Sequence, residues 1–460
     1  MLKVESATVC QAVLSACVVH FAAFAAGTTP AEAAEVSWTE NSQLETKVTE
    51  KTISASQLTA DTSTILPFTG LSSDQDFFDS IETLLQDHPA LLALQSEKQA
   101  VLERSQTTLA LPDPMVSLGI NNLSISSPSF DEFLPTNKAI GIRQEFPNFK
   151  GRSAKADQAL AQSKTIDFMI VAKRESLIAD VLEHLIQKQG LDRQIGLATE
   201  RLQKYNELTE VVQSEIEAGN PSVFRLAEID AERARVAGLI NNLAAQNLEH
   251  NAQLMALTGS VPNLDIPAFT IRNSNDFNSN DFHAVRIAQA QLNSVSESLN
   301  IADASRFKRW GVQLAYQQRE NGDTFKGDDW VSGQVFFTAP LWYRQSQAPE
   351  KRAAIASVEA AKQKLLLAQR TALAEHTALT ARHASAAENI TLLKREIIAV
   401  QDKIETQTTS YEAGIGYFAP IVDGDIALLK LHAQIAVENA AMDTYRVRLN
   451  ALLIGDVSHE

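Results

Sequence analysis

Two stretches of the chain run for a long way without a helix breaker. From Ser153 to Ala218 there is no proline and there are two glycines; from Ala353 to Ala413 there is neither. The first stretch is about 66 residues, or about 99 Å of α-helix at 1.5 Å per residue. In the second, apolar residues alternate three and four apart: Ile390, Leu393, Ile397, Val400, Ile404. The first shows Leu202, Tyr205, Val212 and Ile216, with Thr209 in the gap. A 3.5-residue period is that of a coiled coil. Each run ends on a glycine stop, Glu217-Ala218-Gly219-Asn220-Pro221 and Glu412-Ala413-Gly414-Ile415-Gly416. Returning helices follow over 222–257 and 420–453, so the pattern predicts two long helical hairpins. Shorter helices are expected at 76–109 and 281–307.

Between each short helix and the long one after it, the period switches to two. Trp310, Val312, Leu314 and Tyr316 alternate with Gly311, Gln313, Ala315 and Gln317. Val116, Leu118 and Ile120 alternate with Ser117, Gly119 and Asn121; Ile140, Ile142 and Phe146 with Gly141, Arg143 and Glu145; Val331, Val335 and Phe337 with Ser332 and Gln334. Each reads as a strand of about ten residues, which is what a tilted strand needs to cross a bilayer. Trp310, Tyr316 and Trp330 suit the aromatic belts of a membrane interface. Alternation alone fits two soluble hairpins packed on the helices equally well. Four strands cannot close a barrel, and an open edge in lipid costs several kcal/mol for each unpaired backbone group. Other copies must complete them: three copies make a twelve-stranded barrel, two copies a narrow eight-stranded one.

The two halves are collinear. His88-Pro89-Ala90 recurs as His283-Ala284-Val285 and Glu217-Ala218-Gly219 as Glu412-Ala413-Gly414, both 195 residues on; Leu257-Thr258-Gly259 recurs as Leu453-Ile454-Gly455 at 196. The expected organisation is a first repeat over 74–259, a linker over 260–280 with two prolines and five asparagines, a second repeat over 281–456 and a short tail over 457–460. Residues 34–73 are rich in Ser and Thr without periodicity and read as a disordered or extended leader. The predicted class is mainly α with a small β part.

Composition narrows the partners. Glycine and proline make 32 of 460 residues, about 7% against a usual ~12%. The formal net charge of −16 disfavours nucleic acid. The cysteines, Cys10 and Cys17, lie in an apolar stretch from about Ala7 to Ala26 behind Lys3, which reads as an export signal over 1–33. Ala31-Glu32-Ala33 offers a cleavage site, while Leu14-Ser15-Ala16-Cys17 resembles a lipobox that would lipidate Cys17; an uncleaved anchor is the third possibility. Removal of the segment leaves no cysteine for disulfides, thiolate metal sites or a nucleophile.

Strand, strand, long helix, turn and helix, given twice on an exported chain, resemble the TolC-type outer-membrane factors of tripartite efflux pumps, over roughly 74–456. Leu111-Pro112-Asp113-Pro114 before the first strand supports the resemblance. So do Arg143-Gln144-Glu145-Phe146-Pro147, Lys150-Gly151-Arg152 and Ala154 after the second, which look most like the heavy-metal-efflux branch. The resemblance implies a homotrimer with a twelve-stranded barrel in the outer membrane and a long α-helical barrel in the periplasm. It would be a passive export conduit, closed at its periplasmic tip until a periplasmic adaptor and an inner-membrane RND pump engage.

Glu228 and Asp230 follow the first turn glycine, Gly219, and Asp423 and Asp425 follow the second, Gly414, again 195 apart. Three copies would gather twelve carboxylates near one end of a tube, where such a ring selects cations and can gate. Residues i and i+2 diverge on a helix, so one of each pair at most faces the lumen. The same acids also suit a helix start, whose dipole favours them. By the resemblance Asp423 falls on a gate aspartate, whereas Pro420 and Gly416 stand where the family has its second gate acid and latch arginine, against a latch of the usual kind.

There is no P-loop, H-E-x-x-H or G-x-S-x-G motif and no visible nucleophile–base pair. No enzyme activity and no cofactor are expected. His376 and His383, seven apart, form a conceivable metal pair but read more readily as solvated, as does His184 beside Glu183. Heavy metal as cargo rests on the resemblance. Two rivals stand: a periplasmic coiled-coil adaptor, against which the doubled hairpin and short strand pairs argue, and an exported hydrolase.

Overall fold

The structure, a computed structural model, describes residues 75–133, 135–219, 223–262, 264, 266, 279–305 and 309–454, all within one unit, Pro67–Glu460. The export signal with Cys10 and Cys17, the leader, most of the linker, Asn220-Pro221, Gly455 and the tail lie outside the described residues.

Helices α1 (Gln75–Leu85) and α2 (Pro89–Leu109) replace the single helix expected over 76–109. Proline disfavours the helical region for the residue before it, and its own missing N–H is tolerated only at a helix start. His88 accordingly sits extended at φ −62°, ψ 128°, and its Nδ1 accepts the N–H of Ala90 at 3.1 Å, so the chain caps a new helix there. The break lets α1 lay Phe77, Phe78, Ile81 and Leu85 against Leu177, Val181 and Leu254, in the main buried core.

Strands β1 (Met115–Asn121) and β2 (Asn137–Pro147) lead to α3 (Phe149–Glu217), a helix of 69 residues, and to α4 (Val223–Thr258). Asn148 opens α3, its side-chain oxygen accepting the Lys150 N–H at 3.0 Å. The order then repeats: α5 (His283–Ala304), β3 (Arg309–Gln318), β4 (Trp330–Phe337), α6 (Gln347–Glu412) of 66 residues, and α7 (Ala419–Leu452).

Helices α2 and α4 pack on α3; α5 and α7 pack between α3 and α6. Flanked by both sets, α3 buries 18 residues; α6, packed on one set, buries eight at nearly equal length. In α6 the predicted seam faces inward, with Ile390 and Ile397 buried and Leu393, Val400 and Ile404 half-buried. In α3 the pattern missed Leu208, which is buried with Tyr205 and Val212.

The strands form one antiparallel sheet in the order β1-β2-β3-β4, so β2 and β3 join the two hairpins within the chain. The register carries one apolar face across all four strands: Leu118 opposite Ile140, Ile140 opposite Tyr316, Tyr316 opposite Val331. The other face runs Ser117, Gly141, Ala315, Ser332. The strands at the two edges are shorter than the expected ten, at seven and eight residues, each having one partner strand instead of two. No described helix is long and apolar enough to cross a membrane.

Candidate functional site

The far end of the helical hairpins is built on two left-handed glycines, Gly219 at φ +97° and Gly414 at φ +71°. At the second, the Gly414 N–H reaches the Tyr411 carbonyl at 2.9 Å and the Ile415 N–H the Ser410 carbonyl at 3.1 Å, the paired bonds of a Schellman stop. Gly219 makes the corresponding bond to Ile216 at 2.9 Å. A Cβ on Gly416 would lie 2.9 Å from the Tyr411 nitrogen, so the turn as built has no room for an arginine there.

Beyond the turns α3, α4 and α7 share a buried cluster that includes Tyr205, Leu208, Val212, Ile229, Val422 and Ile426. Ile229 lies between exposed Glu228 and Asp230, which fixes those two acids on the outer side of α4. In the second hairpin Gly424 holds the equivalent place, and Ile404 of α6 fills the space of the missing side chain.

The four candidate acids diverge. Asp423 is ion-paired with Arg225 at the start of α4, while Asp425 meets Lys204 of α3 at 3.0 Å. Lys204 also holds Glu207 at 3.0 Å, and these two carboxylates push its pKa up. Asp230 pairs with Arg233, one turn along its own helix, at 3.2 Å. Glu228 is exposed and makes no ion pair among the described residues. On the single chain three of the four acids are paired with cations and Glu228 stands bare; besides Lys204–Asp425, Arg225–Asp423 also links the two hairpins, reaching from α4 past α3 to α7. Arg225 escaped the sequence reading, although it stands 195 residues before Pro420, a position already singled out.

On the sheet, Trp310 and Tyr316 share the apolar face with Phe146, which stacks on Trp310 at 4.5 Å between ring centroids. The Tyr316 hydroxyl donates to Asp329 in the β3–β4 loop. Trp330 lies opposite Gln317 on the other face, with the Arg319 guanidinium 4.4 Å over its ring. The three aromatics therefore do not share one surface.

The histidines are partnered inside the helical layer. His376 is buried edge-on to Phe282, and His383 Nε2 accepts from Arg446 Nε at 3.2 Å. With α5 and α7 packed on α6, His376 is buried and His383 half-buried rather than freely solvated. His184 is half-buried, its Nδ1 2.9 Å from that of His250 on α4. Burial, then His250, lowers its pKa. No group of three or more His, Cys, Asp or Glu among the described residues is placed to hold a metal ion.

Residues 80–260 match the family model described as outer membrane efflux protein. No curated protein sequence matches the chain. Among solved structures the chain is similar to a membrane protein from Pseudomonas aeruginosa, at 15% identity over 84% of this chain and 93% of that one, with a TM-score of 0.67. It is similar to CusC, in structures concerned with folding and transmembrane channel formation, at 14% identity over 85% and 98%, with a TM-score of 0.68. It is also similar to the CmeC outer membrane channel of Campylobacter jejuni, at 11% identity over 83% and 87%, with a TM-score of 0.64. The fold, mainly helical with one small sheet, is that of outer-membrane efflux channels, and over residues 80–260 the chain carries the sequence pattern of the outer membrane efflux protein family.

Proposed function

We propose that three copies of this chain form an outer-membrane channel that serves as the passive exit duct of a tripartite efflux pump. The observation that carries the reading is the four-stranded sheet. Its apolar face is exposed, with Leu118 78% and Phe337 77% accessible, and its β1 and β4 edges have no partner strand among the described residues. A soluble protein gains nothing from such a face, and an unpaired edge in lipid is untenable. Joining β4 of one copy to β1 of the next satisfies both, with the Ser117–Ser332 face lining the pore. An export signal over 1–33 suits this location.

The helices then continue as a tube into the periplasm, where an adaptor and an inner-membrane pump supply engagement and energy. The tip opens when α4 and α7 part. Parting breaks Arg225–Asp423 and frees the Asp423 carboxylate to face passing cations, so cation preference rises on opening. The cargo is a heavy-metal cation; what supports this is the resemblance around 143–154.

The test is extraction of the protein from outer membranes in detergent, oligomer mass, and conductance in a planar bilayer. A trimer that conducts ions supports the reading. A monomer released without detergent overturns it in favour of a periplasmic adaptor.

A further inference from the structure

The run Arg143-Gln144-Glu145-Phe146-Pro147 closes β2, and the duct described above makes no use of its charges. Strand alternation separates them. Gln144 and Phe146 fall on the apolar face, Arg143 and Glu145 on the face of Ser117 and Ser332. Arg309, the first residue of β3, lies on that same face, because Trp310 beside it pairs with Phe146 on the apolar one. Among the strand residues of the Ser117–Ser332 face these three carry the charge; the others are small, amide or apolar.

The three side chains form one cluster. Glu145 accepts from Arg143 Nη2 at 3.0 Å and meets Arg309 Nη1 at 3.4 Å. The Arg143 guanidinium lies over the Phe336 ring, 3.9 Å from its centroid. Phe336 stands opposite Gly311, where a Cβ would run into the ring, so the glycine makes room for the aromatic platform. Two guanidinium cations share one carboxylate, which leaves one positive charge in excess. Both arginines stay reachable, with side chains 39% and 59% exposed.

We infer that Arg143, Glu145 and Arg309 form a positive collar on the pore side of the sheet, where the strands meet the helices, and that the collar favours small anions over cations. The inference rests on the assignment of the Ser117–Ser332 face to the pore. Three copies repeat the excess charge as a ring, and rings of arginine select anions. The planar guanidinium fork suits carboxylates and phosphates in particular. A cation travelling outward therefore meets, beyond the acids of the tip, a barrier of the opposite sign, which anions gathered at the collar lower.

The experiment measures the chloride-to-potassium permeability ratio of the full-length protein in planar bilayers, from the reversal potential in a potassium chloride gradient. The parent is compared with Arg309→Gln, Arg309→Glu and Glu145→Gln, which set the excess charge of the cluster to neutral, negative and doubly positive. The ratio is expected to fall in the order Glu145→Gln, parent, Arg309→Gln, Arg309→Glu. Each step should be about twofold or more near 0.01 M salt, where the screening length is about 30 Å, and should shrink near 1 M, where it is about 3 Å. A merely structural role would neither sort the variants by charge nor fade with salt. The two Arg309 variants change an exposed side chain, so the series stands even where Glu145→Gln fails to assemble. A conducting trimer whose ratio is the same in parent and variants, or does not follow the charge, overturns the collar and leaves the duct standing. A protein that forms no conducting trimer overturns both.

Discussion

Arg225, three residues into α4, holds Asp423 near the start of α7, and with it joins the tips of the two hairpins across α3. The pair is about half exposed at Asp423, so one copy contributes no more than about 0.2–1 kcal/mol. Three copies opening together would multiply that to about 0.6–3 kcal/mol, a roughly three- to 150-fold change in the closed-to-open ratio. Arg225→Ala is therefore expected to raise the open probability of the reconstituted channel. Asp423→Ala should raise it similarly and also weaken the preference for cations. The double variant should add little to either, because both act on one bond. Single-channel recording checks this; fully additive single effects would show that the two residues act separately.

The contact of Gly424 with Ile404 sets the spacing of α6 and α7 near the tip. A Cβ at 424 would lie 2.4 Å from Ile404 Cγ1. Gly424→Val is expected to destabilise the hairpin by about 1–3 kcal/mol, the usual cost of overpacking. Ile404→Ala in the same chain should recover part of the loss, since it empties the space the new side chain needs. Thermal unfolding of the purified oligomer measures both. Equal stability of Gly424→Val and the parent would mean that the helices separate freely there.

Much of this architecture is legible in the residue pattern, for identifiable reasons. Breaker-free runs and glycine stops are local signals, so the long helices end where Gly219 and Gly414 say they must. Alternation in the strands is also local, and the sheet keeps it. What is not legible depends on neighbours distant in sequence. The break at His88-Pro89 is itself a local signal, but what it serves, laying α1 against Leu177 on α3, depends on a neighbour distant in sequence. His184 looked solvated because its partner, His250, lies 66 residues away on the returning helix. Trp330 is one residue out of phase with Val331, and its face is fixed by pairing with Gln317. Asp423 and Asp425 are visible after the second turn, but their cations come from other helices: Lys204 from α3 and Arg225 from α4.

The His184–His250 contact predicts a pH dependence. The two Nδ1 atoms lie 2.9 Å apart, so one ring must donate and the other accept, and two imidazolium rings cannot share the site. Glu183 and Asp180 raise the pKa of His184 and Arg448 lowers it, but burial and His250 dominate and hold it below the ordinary histidine value of 6.5. A histidine depressed in the fold binds its proton more readily when unfolded, so stability falls as pH drops from that ordinary value through the folded one. The α3–α4 pair should thus lose protection from hydrogen exchange around residues 184 and 250 between about pH 7 and pH 5. His250→Asn should flatten the dependence. An unchanged exchange profile in the parent over that range would show that the contact does not titrate.

The two faces of the sheet should respond in opposite ways to one charge. Leu118 lies on the apolar face, opposite Ile140; Ser117, its neighbour, lies on the other, opposite Gly141. If the apolar face meets lipid, Leu118→Arg moves a guanidinium into hydrocarbon, at a cost of about 2–4 kcal/mol near the bilayer midplane. The expected outcome is a sharp loss of assembled protein from the outer membrane. Ser117→Arg on the pore side should assemble normally and lower the conductance to cations, because it adds one positive charge per copy to the lumen. Membrane fractionation reads the first effect and bilayer conductance the second. If Leu118→Arg assembles and Ser117→Arg does not, the sheet is inside out relative to this account, and the residues assigned to lipid and to pore exchange places.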